Sequence, residues 1–135
     1  MKVMRFIPAF LWMGVIFALS AQTGNELGAM FPFVERWFPW MDGFNFGHFV
    51  AYFILALLLW WGFASDRLSM KLLVVLLCVV YGASDEYHQM FVEGRHADVV
   101  DLRNDAIGAI LAMMFVSIPF VRKILRRLGI NFYPR

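Results

Sequence analysis

The sequence MKLLVVLLCVVYGASDEYHQM, residues 70–90, carries the clearest information about the fold. Its first half is almost entirely apolar, whereas its last third carries two carboxylates, an imidazole and an amide. A helix needs about 20 residues to cross about 30 Å of hydrocarbon, and this stretch has that length. The apolar half lacks the two-residue alternation of a barrel strand. The stretch therefore predicts a membrane-spanning helix that ends in polar residues.

The rest of the chain repeats this apolar character. Of its 135 residues, 61% are hydrophobic, and the mean hydropathy is +0.67, well above what a soluble domain shows. Cys78 is the sole cysteine, which excludes intrachain disulfides and cysteine-rich metal sites. We expect an all-α polytopic membrane protein: one domain over residues 1–135, built as a four-transmembrane-helix bundle. The four apolar segments cover about residues 5–21, 46–64, 70–90 and 102–121.

The connection between the first two helices, residues 22–45, is too apolar for a solvated loop. It contains MFPFV at residues 30–34 and WFPWM at residues 37–41. The prolines make a spanning helix unfavourable there. We expect an interfacial or re-entrant segment whose tryptophans lie at headgroup level.

Basic residues predict the orientation of the bundle. With a cytoplasmic N-terminus, nine of the twelve lysines and arginines fall inside, together with the C-terminus. The protein is then a multi-pass cell-membrane protein with both termini in the cytoplasm. Its net charge of +2 is small, and its basic residues are distributed by the side of the membrane and not clustered in one patch. Nucleic acid is therefore not expected as a partner. Alternatively, the first segment is a cleaved signal peptide, which would leave the side of the polar residues unchanged.

Helical spacing aligns polar groups on the third helix. Tyr81, Asp85 and His88 fall at positions i, i+4 and i+7, and Glu86 and Gln89 form a neighbouring stripe. Ionisable residues in a spanning helix are costly, which makes them candidates for function.

The fourth helix carries Asp98, Asp101 and Asp105 on one face, followed by Gly108. Helix capping explains one or two of these carboxylates, but Asp105 lies a turn too deep for it. The small residues below Asp105 predict a close approach by another helix, which we expect to be the third.

The other two helices add polar groups at the same membrane level. His48 and Tyr52 open the second helix, and Ser20 and Gln22 close the first. Because chain direction alternates from span to span, all of these groups are expected at the extracytoplasmic end. Arg95, in the loop between the third and fourth helices, either pairs with Asp85 to fix that loop or binds an anion.

These residues resemble the signature of the VanZ-like family. The resemblance rests on SDEYHQMF at residues 84–91, EGR at 93–95, and Asp101 and Asp105 followed by Gly108-Ala109. It also includes Ser20-Ala21-Gln22 and His48 with Tyr52, and it covers nearly the whole chain. Glu93 and Asp98 depart from the family pattern. The family is named for a membrane protein that contributes to resistance to the glycopeptide antibiotic teicoplanin, and so the resemblance implies work at the cell envelope.

Three hypotheses follow for the function. The protein is an enzyme acting on a lipid-linked or amphiphilic envelope molecule, a non-catalytic binder of an envelope lipid, cell-wall precursor or glycopeptide, or a transport or accessory subunit. In the enzyme, His88 or His48 would be the general base, Asp85 would orient it, and Arg95 would hold an anion. The candidate catalytic residues are Asp85, Glu86, His88, Asp101 and Asp105, and the candidate substrate-binding residues are Ser20, Gln22, His48, Tyr52, Gln89 and Arg95.

A divalent metal ion is an open alternative to a purely hydrogen-bonded site. Its candidate ligands are Asp85, Glu86, His88 and Asp101. Spacing along the sequence does not separate the two kinds of site.

Overall fold

A computed structural model describes residues 3–23, 36 and 43–128. The described part is helical throughout its regular elements, which confirms the all-α prediction. A 3₁₀ turn, Val3–Phe6, leads into the first helix. The helices are α1 (Ile7–Ser20), α2 (Gly43–Phe63), α3 (Leu68–Gln89), α4 (Val99–Ser117) and α5 (Pro119–Arg127).

The helices have the length and composition of membrane spans. Val3–Ser20, Phe46–Phe63 and Leu68–Gln89 each pass as a span, and α4 joined to α5 is a fourth candidate. Apolar side chains on the outer surface agree with this, because Leu72 and Leu76 of α3 are more than half exposed. Such a stripe is stable against lipid and unfavourable in water. The protein is therefore a multi-pass membrane protein. The interfacial or re-entrant segment predicted for residues 22–45 lies largely outside the described residues.

The central helix of the bundle is α2, which contacts α1, α3 and α4 and packs most extensively on α4. Its buried side chains include Tyr52, Leu55 and Ala56, which belong to the same hydrophobic core as the small residues Ala109 and Ala112 of α4. Small residues let two backbones approach closely where lipid supplies no hydrophobic drive for association.

Gly108 marks the closest of these approaches. A Cβ atom at this position would lie 2.5 Å from the backbone oxygen of Phe49 in α2. The expectation that Gly108 faces the third helix is therefore wrong. The third helix meets α4 one turn earlier, where a Cβ atom on Gly82 would lie 2.6 Å from Oδ2 of Asp105.

Proline ends the fourth helix earlier than its apolar pattern predicts. α4 stops at Ser117 rather than near residue 121, and Ile118 is extended (φ −63°, ψ 126°). A residue before proline avoids the helical region because the pyrrolidine ring clashes with it, and Pro119 then begins α5. The two helices differ in direction by 74°. The basic tail is thus a separate amphipathic helix and not a straight continuation of α4.

An ionic cluster ties this bend to the loop between α2 and α3. The carboxylate of Asp66 is 95% buried; it lies 2.7 Å from Nζ of Lys71 and also pairs with Arg122 of α5. Lys71 donates in turn to Ser117 at the end of α4 (2.7 Å). These contacts fix the end of the bundle opposite the polar residues described next.

Candidate functional site

Polar side chains from four helices meet at one end of the bundle, which we call the polar end. It is formed where α1 and α3 finish and where α2 and α4 begin. The side chains are buried in spite of their polarity, so each needs a partner that replaces water. The polar end comprises Ser20, His48, Asp85, Glu86, Gln89, Asp101 and Asp105.

His48 is held between two carboxylates of α4. Its Nδ1 atom lies 2.9 Å from Oδ1 of Asp105, and its Nε2 atom lies 3.7 Å from Oδ2 of Asp101. Asp101 and Asp105 are one turn apart on the same helix face, which places one carboxylate at each ring nitrogen. Asp105 is fully buried, whereas Asp101 retains some exposure. The carboxylate too deep to be a cap is therefore the one that orients the imidazole.

Asp85 belongs to a second network, which joins α1 to the loop after α3. Its Oδ2 atom accepts a hydrogen bond from the hydroxyl of Ser20 (2.7 Å) and a second from the amide of Gln89 (3.1 Å). Gln89 accepts in turn from the guanidinium of Arg95 (Nε at 3.2 Å). Asp85 and Arg95 are thus joined through Gln89, in place of the direct pair considered from the sequence.

Glu86 lies between these two networks. Its Oε2 atom accepts from the backbone N–H of Asp98 (2.8 Å), and its Oε1 atom lies 3.4 Å from the amide nitrogen of Gln89. Asp98 itself caps α4, because its carboxylate accepts from the backbone N–H of Val100 (2.7 Å). Glu86 therefore fixes the start of α4 against the end of α3.

Three of the polar side chains are close enough to share a cation. Ligand atoms of His48, Glu86 and Asp101 all lie within 4.8 Å of one another. Two of these residues, Glu86 and Asp101, were among the four metal candidates from the sequence. The imidazole in this group is His48. His88 lies apart, with its ring stacked on Phe17 of α1 at a centroid distance of 4.2 Å.

A cavity of about 150 Å³ opens beside the polar end, between α1, α2 and α3. The wall formed by α1 and α2 is mostly apolar, and polar side chains line one side of the cavity. The apolar wall is formed by Trp12, Val15, Ile16, Leu19, Gly47 and Ala51, and the polar side by Ser20, His48, Tyr52, Asp85 and Arg95.

Two polar atoms on this cavity lack a hydrogen bond in the described part of the chain. They are the hydroxyl of Tyr52 and the Oδ1 atom of Asp85. Both side chains are at least 97% buried. A buried polar group without a partner costs about 1–3 kcal/mol, so such atoms point to water or a ligand in the cavity.

The structure thus brings most of the predicted site residues to one end. Gln22 lies beyond the end of α1 and is not among the residues that line the cavity. His88 is partly buried at the edge, and its Nδ1 atom is without a hydrogen bond among the described residues.

Sequence reasoning missed the apolar wall of the cavity. Trp12 anchors it by donating its indole N–H to the backbone oxygen of Ala51 (2.9 Å). A signal was present, because Gly47 and Ala51 stand four residues apart and leave room on one face of α2. Gly82 was also missed, since only the packed structure shows that it makes space for Asp105.

Comparison with known proteins identifies relatives of the chain. A family model described as VanZ/LLP1 matches residues 6–122. A stretch of 87 residues is 29% identical to an uncharacterized protein, C11E3.10, of Schizosaccharomyces pombe, and covers 64% of this chain and 53% of that relative. The match thus spans about half the length of this curated relative. No solved structure matches the chain.

Proposed function

The chain belongs to the VanZ/LLP1 family, and from that premise we propose that its polar end binds an amphiphilic or lipid-linked molecule of the cell envelope. The observation that carries this proposal is the cavity beside α1 and α2, because one wall is apolar and the other ends in hydrogen-bonding groups. Binding sites for small molecules commonly combine an apolar lining with a few placed polar groups.

The size of the cavity limits what it holds. A cavity of about 150 Å³ holds a molecule of about the size of benzene. The cavity therefore accepts a headgroup or a short part of one. The acyl or isoprenoid part of the molecule stays against the outer surface of the helices.

The polar groups define the headgroup by chemistry. The free Oδ1 atom of Asp85 needs a hydrogen-bond donor, such as a hydroxyl or an ammonium group. Arg95 lines the same cavity and brings a positive charge suited to a phosphate. A phosphate-bearing headgroup with hydroxyl or amino groups satisfies both, as a lipid-linked cell-wall precursor or a phospholipid would.

The proposed location is the extracytoplasmic surface of the cell membrane. It is supported by the nine basic residues that would lie on the opposite side, including Arg122 and Arg127 of α5. With this orientation α5 would lie along the inner leaflet, with its basic side chains towards anionic headgroups.

One observation favours a catalytic version of the proposal. His48 is oriented by Asp105 and lines the cavity, as a general base would. In that version His48 takes a proton from a hydroxyl or a water at the headgroup, and Arg95 stabilises the anionic group. A pure binder would need no oriented base. Retention of ligand binding without turnover in His48→Gln would support catalysis.

A role in teicoplanin resistance is the narrower form of the proposal, and it rests on the family. Its test is expression of the protein in a teicoplanin-sensitive bacterium. An increase in the minimal inhibitory concentration that disappears in Asp85→Asn would support it. An unchanged minimal inhibitory concentration would reject the role in teicoplanin resistance. It would not test the binding of an envelope lipid.

Binding is tested by lipidomics of the purified wild type and of a variant in which a larger side chain fills the cavity. Gly47 lines the cavity, and a Cβ atom there meets nothing within 4 Å, so Gly47→Leu should fold and occupy the space. Gly14→Leu is the matched control, because Gly14 is equally open but lies outside the cavity lining. We expect an enriched amphiphile with the wild type and Gly14→Leu, and its loss with Gly47→Leu. Equal lipid profiles for all three proteins would reject the proposal.

A further inference from the structure

Three side chains from three different helices meet at the polar end with the chemistry of a metal site. They are His48 of α2, Glu86 of α3 and Asp101 of α4, with ligand atoms within 4.8 Å of one another. We propose that these residues bind a divalent transition-metal ion, with Asp105 as the positioning residue. This proposal does not depend on the binding function proposed above. It excludes the catalytic version, because a metal ion at Nε2 of His48 takes the lone pair that a general base would use.

The imidazole is already arranged as a ligand. Oδ1 of Asp105 accepts a hydrogen bond from Nδ1–H of His48 (2.9 Å). An imidazole that donates from Nδ1 has a lone pair at Nε2. Histidine ligands of metals usually donate their second nitrogen to a carboxylate in this way, which fixes the ring and its tautomer. The lone pair of Nε2 then lies on the side of Asp101, whose Oδ2 atom is 3.7 Å away.

Glu86 is fixed in place by neighbours that leave it capacity for a cation. Its Oε2 atom accepts from the backbone of Asp98 at 2.8 Å, and its contact with Gln89 through Oε1 is long at 3.4 Å. Each carboxylate oxygen has two lone pairs, so both bonds are compatible with metal coordination. The backbone bond also holds the start of α4, which carries Asp101, next to Glu86.

The charge around the group calls for a cation. Asp85, Glu86 and Asp105 are each at least 94% buried, and Asp101 is close by. Over residues 3–23 and 43–128, His48 forms ion pairs with Asp101 and Asp105, whereas neither Asp85 nor Glu86 has an ion-pair partner. Oδ2 of Asp105 and Oδ1 of Asp85 also lack hydrogen bonds there. Buried carboxylates are stable when protonated or when a positive charge offsets them, and a divalent ion supplies that charge.

The donor set selects the class of ion. The imidazole nitrogen suits zinc and the two carboxylates also suit manganese, whereas calcium and magnesium prefer oxygen ligands alone. Ligands of a tetrahedral zinc ion lie about 3.4 Å apart, given bonds of about 2.0–2.1 Å. The 3.7 Å between His48 and Asp101 is near this value. Three protein ligands leave a fourth position for water or an anionic oxygen.

The experiment measures metal binding by untagged, full-length protein in detergent, after chelation and without added lipid. Zinc and manganese are titrated by calorimetry, and cobalt is added because its visible spectrum reports coordination by nitrogen and oxygen. We expect one equivalent to bind, with cobalt showing a four- or five-coordinate spectrum. Asp101→Asn and Glu86→Gln should each weaken binding at least tenfold. Asp105→Asn should weaken it about 10- to 100-fold, as expected for a group that orients a ligand.

Matched controls separate coordination from general charge. Glu93→Gln and His96→Ala remove an exposed carboxylate and an exposed imidazole outside the group, and both should bind as the wild type does. Circular dichroism of each variant shows that it folds. The proposal fails if the wild type binds none of the three ions at one equivalent. It also fails if Asp101→Asn and Glu86→Gln both keep the affinity of the wild type. Absence of a bound amphiphile would affect only the function proposed earlier.

Discussion

Nδ1 of His48 and Oδ1 of Asp105 lie 2.9 Å apart and join the start of α2 to a fully buried carboxylate of α4. This contact sets the direction of the imidazole in the cavity. It is accommodated by Gly82 of α3, where any side chain would meet the other oxygen of the same carboxylate. The contact therefore depends on three helices at once.

Removal of this carboxylate should destabilise the bundle. Asp105→Ala loses a charge-assisted hydrogen bond inside the protein, which contributes about 1.5–3 kcal/mol. Unfolding in detergent, followed by tryptophan fluorescence, should show a loss of that size, whereas Glu93→Ala on the surface should change little. A gain in stability would mean that repulsion among the carboxylates outweighs the hydrogen bond.

The glycines at the helix contacts should not tolerate a methyl group. Gly108→Ala places a Cβ atom 2.5 Å from the backbone oxygen of Phe49, so α2 and α4 must separate, at a cost of about 1–3 kcal/mol. Gly14→Ala meets nothing within 4 Å and gains helix propensity, so it should be neutral or slightly stabilising. Thermal unfolding of the two variants side by side tests the difference. Equal midpoints would show that the helices are not packed this closely.

Ser20 should stabilise the attachment of α1 to α3. Ser20→Ala leaves Oδ2 of Asp85 with Gln89 as its remaining partner, and should cost about 1–3 kcal/mol. Ser84→Ala is the control, because the hydroxyl of Ser84 is exposed and bonds to the backbone of its own helix. Chemical unfolding should separate the two serines. Similar losses would indicate that the bond from Ser20 contributes little.

The ionic cluster at the opposite end should hold α5 in place. Asp66→Asn removes the negative partner of Lys71 and Arg122, and should increase the motion of α5. A spin label at Lys123 would report this motion by electron paramagnetic resonance. Asp98→Asn, at the N-cap of α4, is the control and should leave the spectrum unchanged. An immobile label in Asp66→Asn would show that Pro119 and the bend alone position α5.

Orientation is testable by labelling cysteines in intact cells. In a Cys78→Ala background, Glu93→Cys and Ser69→Cys place a thiol at an exposed position near either end of α3. Glu93 is preferable to Gly94, whose φ of 73° disfavours a side chain. A membrane-impermeant maleimide should label position 93 from outside and position 69 only after lysis. The reverse pattern would overturn the proposed location of the polar end.

The helical class, the membrane spans and the membrane level of the polar groups could be predicted from the sequence. These follow from local rules, because an apolar run near 20 residues long spans a bilayer, and consecutive spans reverse direction. The placement of Ser20, His48, Asp85 and Asp105 at one end needed no more than this. The break before Pro119 was also readable in principle, since a residue before proline leaves the helical region.

The contacts between the polar groups depend on how the helices pack and could not be predicted from the sequence. Spacing along α3 places Asp85 and His88 on one face, yet the imidazole among the carboxylates of α4 is that of His48, while His88 stacks on Phe17. The choice depends on how far each helix is rotated and how closely it approaches its neighbour. Gly82 and Gly108 set those approaches, because at these two positions backbone replaces side chain at the contact. Distances between helices are set by side-chain packing, and the periodicity of a single helix gives no information about them.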